Sequence, residues 1–439
     1  MISSFGHRCA GRDHLTTGKN VGPTSKSEDP PNFSAGKTIL NLPRIHPNEL
    51  THRCDVKPDA GEDELIVMGT NLSRKALWIA VVLALFSAMA AGPASAAGSG
   101  GGAKKLPSSR SGSTLSATTN PLPEFGTQFH GMWSSYTDTQ RAMVLDTLKA
   151  NGVTTVRLDV SWAMLNPTSA SWDTWGTNFV TRVLKMITDR GMKPMVMVWL
   201  TPKWVSGTSD DRVPPQTTTQ LARWETFNRQ LAAKFPQVTN WEIWNEPNHN
   251  DFMRGASASV YAKVLARGYR GIKAGNPNAR VIFAGTQFVD TPWITKALKA
   301  GAKGKYDIMG VHPYMAVGNL SPDSPDTDGI WRLRHIPSLR SAMLAVGDNK
   351  PMWFTEFGWR VGSTGTANWQ LGVDEATQAK YLATTLRIVR EEYPYVTSVY
   401  WYRELADNNS STSSGYGLIQ PDGTVKPALA QIPAIYAAG

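Results

Sequence analysis

Two glutamates stand out because each comes at the end of an apolar run that is typical of a buried β-strand. Glu246 lies in WEIWNEPN (241–248), and Glu356 lies in WFTEFGW (353–359). Two carboxyl groups held side by side can cleave a glycosidic bond, because one protonates the leaving oxygen while the other attacks the anomeric carbon or activates water. This chemistry requires a fold that brings the two strand ends together.

The chain from Pro121 onward alternates short apolar runs with amphipathic helical patterns, several of which end at Gly or Pro. Eight strands that alternate with helices predict one α/β domain, a (β/α)₈ TIM barrel over residues 121–439. The alternative, an open doubly wound sheet, would need a Gly-rich phosphate-binding turn after the first strand, and FHGMWSS (129–135) offers none. The predicted strands are 124–131, 154–162, 193–200, 238–245, 280–285, 306–314, 350–357 and 396–403.

Catalytic residues of a TIM barrel lie at the carboxyl ends of its strands, where Glu246 and Glu356 are expected. Side chains of a strand alternate between its two faces. Alternation puts Glu242, Trp244 and Glu246 on one face of the fourth strand. It likewise puts Phe354 and Glu356 on one face of the seventh strand.

The two motifs together resemble the paired signature of retaining (β/α)₈ glycoside hydrolases of clan A, nearest to glycoside hydrolase family 39 and family 5. The likeness covers most of residues 121–436. It implies a double displacement in which Glu246 is the general acid/base and Glu356 the nucleophile. One departure is that the third strand ends in VWLTPKWV (198–205), without the rim histidine common in family 5, which argues against close membership of that family.

The resemblance also implies residues that bind the substrate. Asn245 matches the amide that hydrogen-bonds the sugar 2-hydroxyl, and Arg157 matches the second-strand arginine that keeps the nucleophile ionised. Tyr314 resembles the tyrosine that contacts the nucleophile, and Trp401 resembles the floor of the −1 subsite. Further candidates for substrate contacts at the rim are His130, His312 and Trp199.

The charges around the two glutamates predict their roles. Arg157 beside Glu356 is expected to lower the pKa of that carboxyl group. Burial near the negative charge of Glu356 is expected to raise the pKa of Glu246, which then holds a proton as an acid must. A carboxyl separation of about 5–5.5 Å is expected, which predicts retention of configuration.

Several of these residues have structural alternatives. Glu242 is expected to form a buried pair with Arg157 or a neighbour, and Arg157 could instead pair with Asp159. His312 could be an ordinary core histidine. Trp199, Trp204, Trp359 and Trp369 could stack on sugars or pack in the core.

No cofactor and no metal are expected, since the sequence contains neither a His/Cys zinc pattern nor a phosphate-binding loop. The acidic segment SPDSPDTDG (321–329) has aspartates at spacings that could hold calcium. It lacks the full twelve-residue ligand pattern, so a solvated loop is expected there.

The front of the chain predicts export. Residues 1–67 are polar and aperiodic, 68–96 have the basic, apolar and small-residue parts of a signal peptide, and 97–120 form a Gly/Ser-rich linker. The apolar part is short for a membrane anchor, so a secreted protein is expected. A signal peptide normally begins the chain, which suggests that translation starts at Met68 and that residues 1–67 are a mis-annotated extension. Both cysteines, Cys9 and Cys54, lie in that extension.

The expected partner is a polysaccharide or oligosaccharide, with no nucleic acid and no stable membrane anchor. The formal net charge of +10 would suit an anionic or wall-associated glycan, but a dispersed basic surface is the favoured explanation, because no Lys/Arg block exists outside the linker. Long insertions at 201–217 and 316–335 could wall a cleft. A transglycosylase and a non-catalytic carbohydrate-binding protein are the alternatives, while the glycan, endo or exo action and the oligomeric state are left open.

Overall fold

The computed structural model describes residues 120–169, 171–406 and 413–438. Eight parallel strands form a closed barrel in chain order, with the last strand paired to the first. The predicted TIM barrel is therefore confirmed. The strands are β1 (Glu124–Gln128), β2 (Thr155–Ser161), β3 (Lys193–Trp199), β4 (Asn240–Ile243), β5 (Arg280–Phe283), β6 (Ile308–Val311), β7 (Met352–Phe357) and β8 (Val396–Trp401).

Helical segments follow every strand, and several begin at side chains that cap them. Thr137 and Thr217, for example, each form a capping box with a glutamine three residues later, which satisfies free backbone N–H groups. The α-helices are α1 (Asp138–Ala150), α2 (Trp162–Leu165), α3 (Thr174–Thr188), α4 (Lys203–Ser206), α5 (Thr218–Lys234), α6 (Ala258–Gly275), α7 (Thr291–Ala297), α8 (Ile336–Ala345), α9 (Glu375–Glu392), α10 (Pro427–Ala430) and α11 (Ile432–Ala437).

The barrel has two apolar layers that leave its mouth polar. Outward-facing strand residues pack with the helices in one large core, as the aliphatic face of β2 does. Inside the barrel, a second cluster closes the floor beneath the polar side chains of the mouth. The floor cluster consists of Met195, Ile282, Ile308, Trp353 and Tyr400.

The fourth strand ends earlier than predicted, and alternation fails there. Trp244 has a φ of 81° and Glu246 a φ of 38°, a region that bulky residues rarely adopt. Trp244 therefore turns away from Glu242 and packs against Trp224 of α5, with ring centroids 6.3 Å apart. The expected shared face of Glu242, Trp244 and Glu246 is wrong at Trp244, because the backbone leaves the strand at that residue.

The seventh strand contains a comparable irregularity. The pairing of β7 with β8 shifts register between Phe354 and Phe357, so two residues of β7 oppose one of β8. Phe354 packs in the outer core, while Glu356 turns into the barrel. The expectation that Phe354 and Glu356 point together is therefore wrong.

The predicted segments 1–67, 68–96 and 97–119, including Cys9 and Cys54, lie outside the described residues. Within the described part of the chain, no helix combines the length and apolar character needed to span a membrane.

Candidate active site

Glu246 and Glu356 meet at the mouth of the barrel. One carboxyl oxygen of each lies within 4.8 Å of the other, and the two residues are only 5% and 7% exposed. The backbone N–H of Glu246 donates to the carbonyl of Gly285 (3.1 Å), which fixes the turn after β4 against β5. Oxygens this close fit the short carboxyl spacing of retaining enzymes and not the roughly 6.5–9.5 Å that leaves room for a water between two carboxyl groups.

Arg157 is the centre of the buried polar network. Its Nη1 donates to Glu356 Oε1 (2.6 Å) and to Gln128 (2.7 Å), its Nε to Glu242 (2.6 Å), and its Nη2 to Asn245 (2.8 Å). The predicted pairing of Glu242 with Arg157 is thus present. Gln128, at the end of β1, was missed because a lone glutamine at a strand end gives no signal in the sequence.

The second oxygen of Glu356 is also held. Tyr314 donates its hydroxyl to Oε2 (3.0 Å), while Arg157 occupies Oε1. Burial, together with the negative charge of Glu356, raises the pKa of Tyr314 well above its ordinary value, so the phenol stays protonated and remains a donor. Glu356 is therefore fixed from two sides, as a nucleophile with one line of attack would have to be.

His312 is fully buried, yet it is more than a core histidine. Its Nδ1 lies 2.9 Å from Glu246 Oε1 and 3.8 Å from Glu356 Oε2, while its Nε2 lies 3.1 Å from the hydroxyl of Thr355. Burial and the nearby Arg157 lower the pKa of His312 well below its ordinary value, so the ring is neutral. It orients Glu246 without adding a charge.

The two carboxyl groups differ in acidity, although burial acts on both. Burial raises the pKa of Glu246 well above the ordinary glutamate value, and the negative charge of Glu356 adds to the effect. Burial also raises the pKa of Glu356, although Arg157 and the Tyr314 hydrogen bond act in the opposite direction. The predicted lowering for Glu356 is therefore wrong, because desolvation outweighs the guanidinium, but Glu246 remains the more strongly raised of the two.

Glu246, His312 and Glu356 could in principle hold a metal ion, since each offers a ligand atom within 4.8 Å of the others. The buried guanidinium of Arg157, 2.6 Å from Glu356, opposes a cation at that point. The acidic loop is no better as a calcium site. Its three aspartates each pair with a basic side chain, namely Asp323 with Arg334 and Arg387, Asp326 with His335, and Asp328 with Arg332.

His130 belongs to a second polar cluster beside the site. Its backbone N–H donates to Glu404 Oε1 (2.8 Å), and its Nδ1 lies 3.1 Å from Glu404 Oε2. Tyr136 donates to the same carboxylate (2.9 Å). Burial opposes ionisation of Glu404, but its interactions with His130 and Arg403 prevail and lower its pKa to about 2. Glu404 was missed because it lies beyond the predicted end of β8.

Trp401 is not brought into the site. It is fully buried in the outer core, packs against Phe357, and donates its indole N–H to the carbonyl of Tyr416 (2.8 Å). Because Tyr400 points into the barrel, its neighbour must point out, and the predicted subsite floor is wrong. Tyr402 lies nearer the site, with its ring 5.5 Å from that of His130 and 6.5 Å from that of Tyr314.

The other tryptophans divide between core and surface. Trp359 is buried, Trp204 is half-buried and donates to the carbonyl of Asn166 (2.8 Å), and Trp369 is exposed. Trp199 is half-buried at the end of β3, and its indole nitrogen is buried without a hydrogen-bond partner among the described residues.

Asp159 does not pair with Arg157 by hydrogen bond or salt bridge among the described residues. Its Oδ1 is buried without a partner, and burial raises its pKa. The alternative of an Arg157–Asp159 pair is therefore not realised.

Comparison with known proteins finds a family model that matches the chain. A family model described as Cellulase (glycosyl hydrolase family 5) matches residues 115–402, well over half of the chain. The missing third-strand histidine therefore does not separate the chain from that family. No curated protein matches the chain.

Solved structures of glycoside hydrolases are similar in fold. A family 39 glycoside hydrolase from Bacteroides cellulosilyticus WH2 is 22% identical with a TM-score of 0.59, over 73% of this chain and 64% of that one. An exo-β-1,4-mannosidase from Opitutaceae bacterium strain TAV5 is 18% identical with a TM-score of 0.54, over 72% and 59%. GH5_18 from Streptomyces cattleya is 18% identical with a TM-score of 0.56, over 72% and 80%. The chain thus spans less than two thirds of the first two proteins, and these likenesses concern the fold alone.

Proposed function

Because this chain belongs to glycosyl hydrolase family 5, the cellulase family, we propose that it cleaves β-glycosidic bonds by a retaining double displacement. The observation that supports this most is the closeness of two unequal carboxyl groups, one held by Arg157 and Tyr314 and the other by His312. Glu356 is the nucleophile and Glu246 the acid/base.

In the first step, the ionised Glu356 attacks the anomeric carbon and forms an ester while the bond to the leaving oxygen breaks. Glu246 gives its proton to that oxygen. Because Oε1 of Glu246 contacts His312, Oε2 is left for the leaving group, and no described residue hydrogen-bonds to it. Burial, which raises the pKa of Glu246, keeps the proton available until this moment.

In the second step, a water oxygen attacks the anomeric carbon, the ester bond breaks, and the proton of the water returns to Glu246. Glu246 can now act as a base, since Glu356 in its ester form no longer bears the negative charge that raised its neighbour's pKa. Two inversions at one carbon give net retention.

Arg157 and Asn245 act together in this scheme. Arg157 holds both Glu356 and the side-chain oxygen of Asn245, so the amide NH₂ of Asn245 is left to donate to a sugar hydroxyl. Such a donor, fixed before the substrate arrives, adds little reorganisation cost in the transition state.

The substrate is a polysaccharide or oligosaccharide with β-linked sugars, and the enzyme is exported by the signal peptide at 68–96. A transglycosylase would use the same residues and differ only in accepting a sugar in place of water. A non-catalytic binding protein is disfavoured, because it would have no use for a carboxyl pair held so closely.

The test measures reducing ends released by the purified protein from a panel of plant and cell-wall polysaccharides. Glu246→Ala and Glu356→Ala are compared with Glu391→Ala, a matched change at an exposed glutamate of α9. Activity lost in the first two variants and kept in the third supports the proposal. Full activity in Glu356→Ala would remove the nucleophile assignment.

Azide separates the two roles in the same variants. With an aryl glycoside that needs no acid, azide replaces the missing Glu356 carboxylate and gives an α-glycosyl azide. In Glu246→Ala, azide attacks the glycosyl-enzyme and gives the β-glycosyl azide. The same anomer from both variants would contradict the assignment.

A further inference from the structure

Two aromatic side chains form a partly exposed pair on the segments that follow β5 and β6. The rings of Phe288 and Trp331 meet edge to face with centroids 4.6 Å apart, and Trp331 is 40% exposed. Phe288 follows β5, and Trp331 lies in the insertion between β6 and α8. The partly exposed indole gives the pair an aromatic surface that a ligand could cover.

The segment that bears Phe288 is tied to the Glu246 side of the mouth by the side-chain amide of Asn248 and by a β-bridge. Asn248 donates to the carbonyl of Gln287 (3.0 Å) and accepts from its N–H (2.9 Å), which joins the segment after Glu246 to the residue before Phe288. Phe288 also forms a β-bridge with His312, whose Nδ1 contacts Glu246.

The loops that bear the pair are held in place. The N–H of Val289 donates to the carbonyl of Ile330 (3.0 Å), and that of Ala316 donates to the carbonyl of Trp331 (3.3 Å). Phe288 has a φ of 60°, which a bulky residue adopts only when its surroundings enforce it. The aromatic surface is therefore preformed and does not depend on ligand binding.

The chemistry of Glu246 decides which sugar reaches this surface. An acid that protonates the leaving oxygen must lie beside the leaving group, so the sugar released in the first step is on the Glu246 side of the cleaved bond. We propose that Phe288 and Trp331 form a binding site for that leaving-group sugar, and for the acceptor sugar that enters by the reverse path. This inference rests on the proposed function.

The ligand class follows from the surface. A pyranose ring with mostly equatorial hydroxyls presents apolar C–H faces, which pack against an aromatic ring while the hydroxyls stay in water. The site therefore recognises the sugar on the leaving side of the cleaved bond in a β-linked pyranose chain. The enzyme prefers glycans that have such a sugar to substrates with a small leaving group.

The experiment measures how one glycosyl-enzyme divides between two acceptors. A set of β-pyranosyl fluorides, which have no leaving sugar, supplies the glycosyl group, and a free disaccharide competes with water for it. The ratio of transfer product to hydrolysis product depends on acceptor binding and not on the amount of folded enzyme. Trp331→Ala is compared with Trp331→Phe and with Trp175→Ala, a still more exposed tryptophan on α3.

The expected result is a transfer-to-hydrolysis ratio reduced about tenfold in Trp331→Ala, equal to about 1.4 kcal/mol of acceptor binding. Trp331→Phe is expected to recover most of the ratio, and Trp175→Ala to match wild type. An unchanged ratio in Trp331→Ala, or a wild-type enzyme that turns over a fluoride but never transfers, overturns this inference alone. A wild-type protein that releases fluoride from none of the donors refutes the proposed function itself.

Discussion

Arg157 shows how a buried cation can organise a site without substrate. It is 1% exposed and binds two carboxylates, Glu242 and Glu356, so the trio bears a net negative charge in the interior. Burial alone would lower its pKa, but the two carboxylates prevail and raise it, and the guanidinium stays charged. Glu242 does not reach the carboxyl of Glu246 through any hydrogen bond among the described residues, and its role is to hold Arg157.

The unequal acidity of the two glutamates leads to a pH prediction. In wild type, kcat/KM should rise with pH as Glu356 ionises and fall as Glu246 loses its proton. Since burial and the charge of Glu356 raise the pKa of Glu246, the fall should occur above the ordinary glutamate range. In Glu246→Ala, measured with a dinitrophenyl glycoside that needs no acid, the alkaline fall should disappear.

The same variant should lose about 10²–10⁴-fold of kcat/KM on substrates with poor leaving groups. The measurement is a pH–rate profile for both kinds of substrate. An alkaline limb that survives in Glu246→Ala would show that another group is the acid.

Among single residues, the sequence could predict those whose position depends only on where one strand ends. Asn245, Glu246 and Glu356 could be found because motifs mark them. Trp401 could not be placed, since its direction depends on whether Tyr400 points inward. Gln128 was missed because its partner, Arg157, comes from another strand and only the closed barrel brings the two together.

At the scale of elements, Glu404 links the segments that follow the first and the last strand of the barrel. It comes after β8 and binds His130, which comes after β1. In the folded protein its pKa is about 2, compared with 4.5 for a free glutamate. A lowered folded pKa means that this stabilisation is present above pH 4.5 and is lost as the pH falls toward 2. The full effect is about 3 kcal/mol.

Glu404→Gln should therefore flatten the dependence of the free energy of unfolding on pH between 4.5 and 2. It should also raise KM more than it lowers kcat, since His130 loses the partner that orients it. Denaturant unfolding at several pH values measures the first effect, and Glu391→Gln, the same change at an exposed glutamate of α9, is the control. Equal slopes in the variant and wild type would contradict the assigned role.

Gly285, which follows β5, leaves room for His312 because glycine has no side chain. A Cβ on Gly285 would lie 2.1 Å from Nε2 of His312 and 2.6 Å from the hydroxyl of Thr355. Gly285→Ala should displace His312 and, through it, Glu246. Because a shift of about 1 Å can cost about 10²-fold in rate, kcat on poor leaving groups should fall by that order.

Gly126→Ala is the matched control for this change. Its Cβ would meet the ring of Tyr400 at 2.6 Å and the methyl group of Thr155 at 2.7 Å, in the floor of the barrel. We expect it to lower the midpoint of thermal unfolding at least as much while affecting poor and good leaving groups equally. A Gly285→Ala variant that also affects both kinds of substrate equally would mean that His312 does not position the acid.

At the scale of the whole molecule, strand count and order were predictable, because alternation of apolar runs and helices limits the fold to few topologies. What lay beyond prediction were the places where the backbone departs from regular geometry. These are the turn at Trp244 and Glu246, the bulge before Phe357, and the bend at Phe288. All three shape the mouth, so the part of the barrel that bears the candidate site departs most from regular strand geometry.

Export is the last property to test, and it concerns the chain before the barrel. Arg74 and Lys75 precede the apolar run 76–91, and the small residues at 94–96 match the pattern of a signal-peptide cleavage site. Chains started at Met68 should therefore be secreted with Ala97 as their first residue, measured by intact mass of the secreted protein. Chains started at Met1 should be exported less, because a largely polar segment of 67 residues precedes the targeting signal. Ala96→Asp is expected to block cleavage, and a secreted protein that still begins at Ala97 in that variant would show that the cleavage site is read differently.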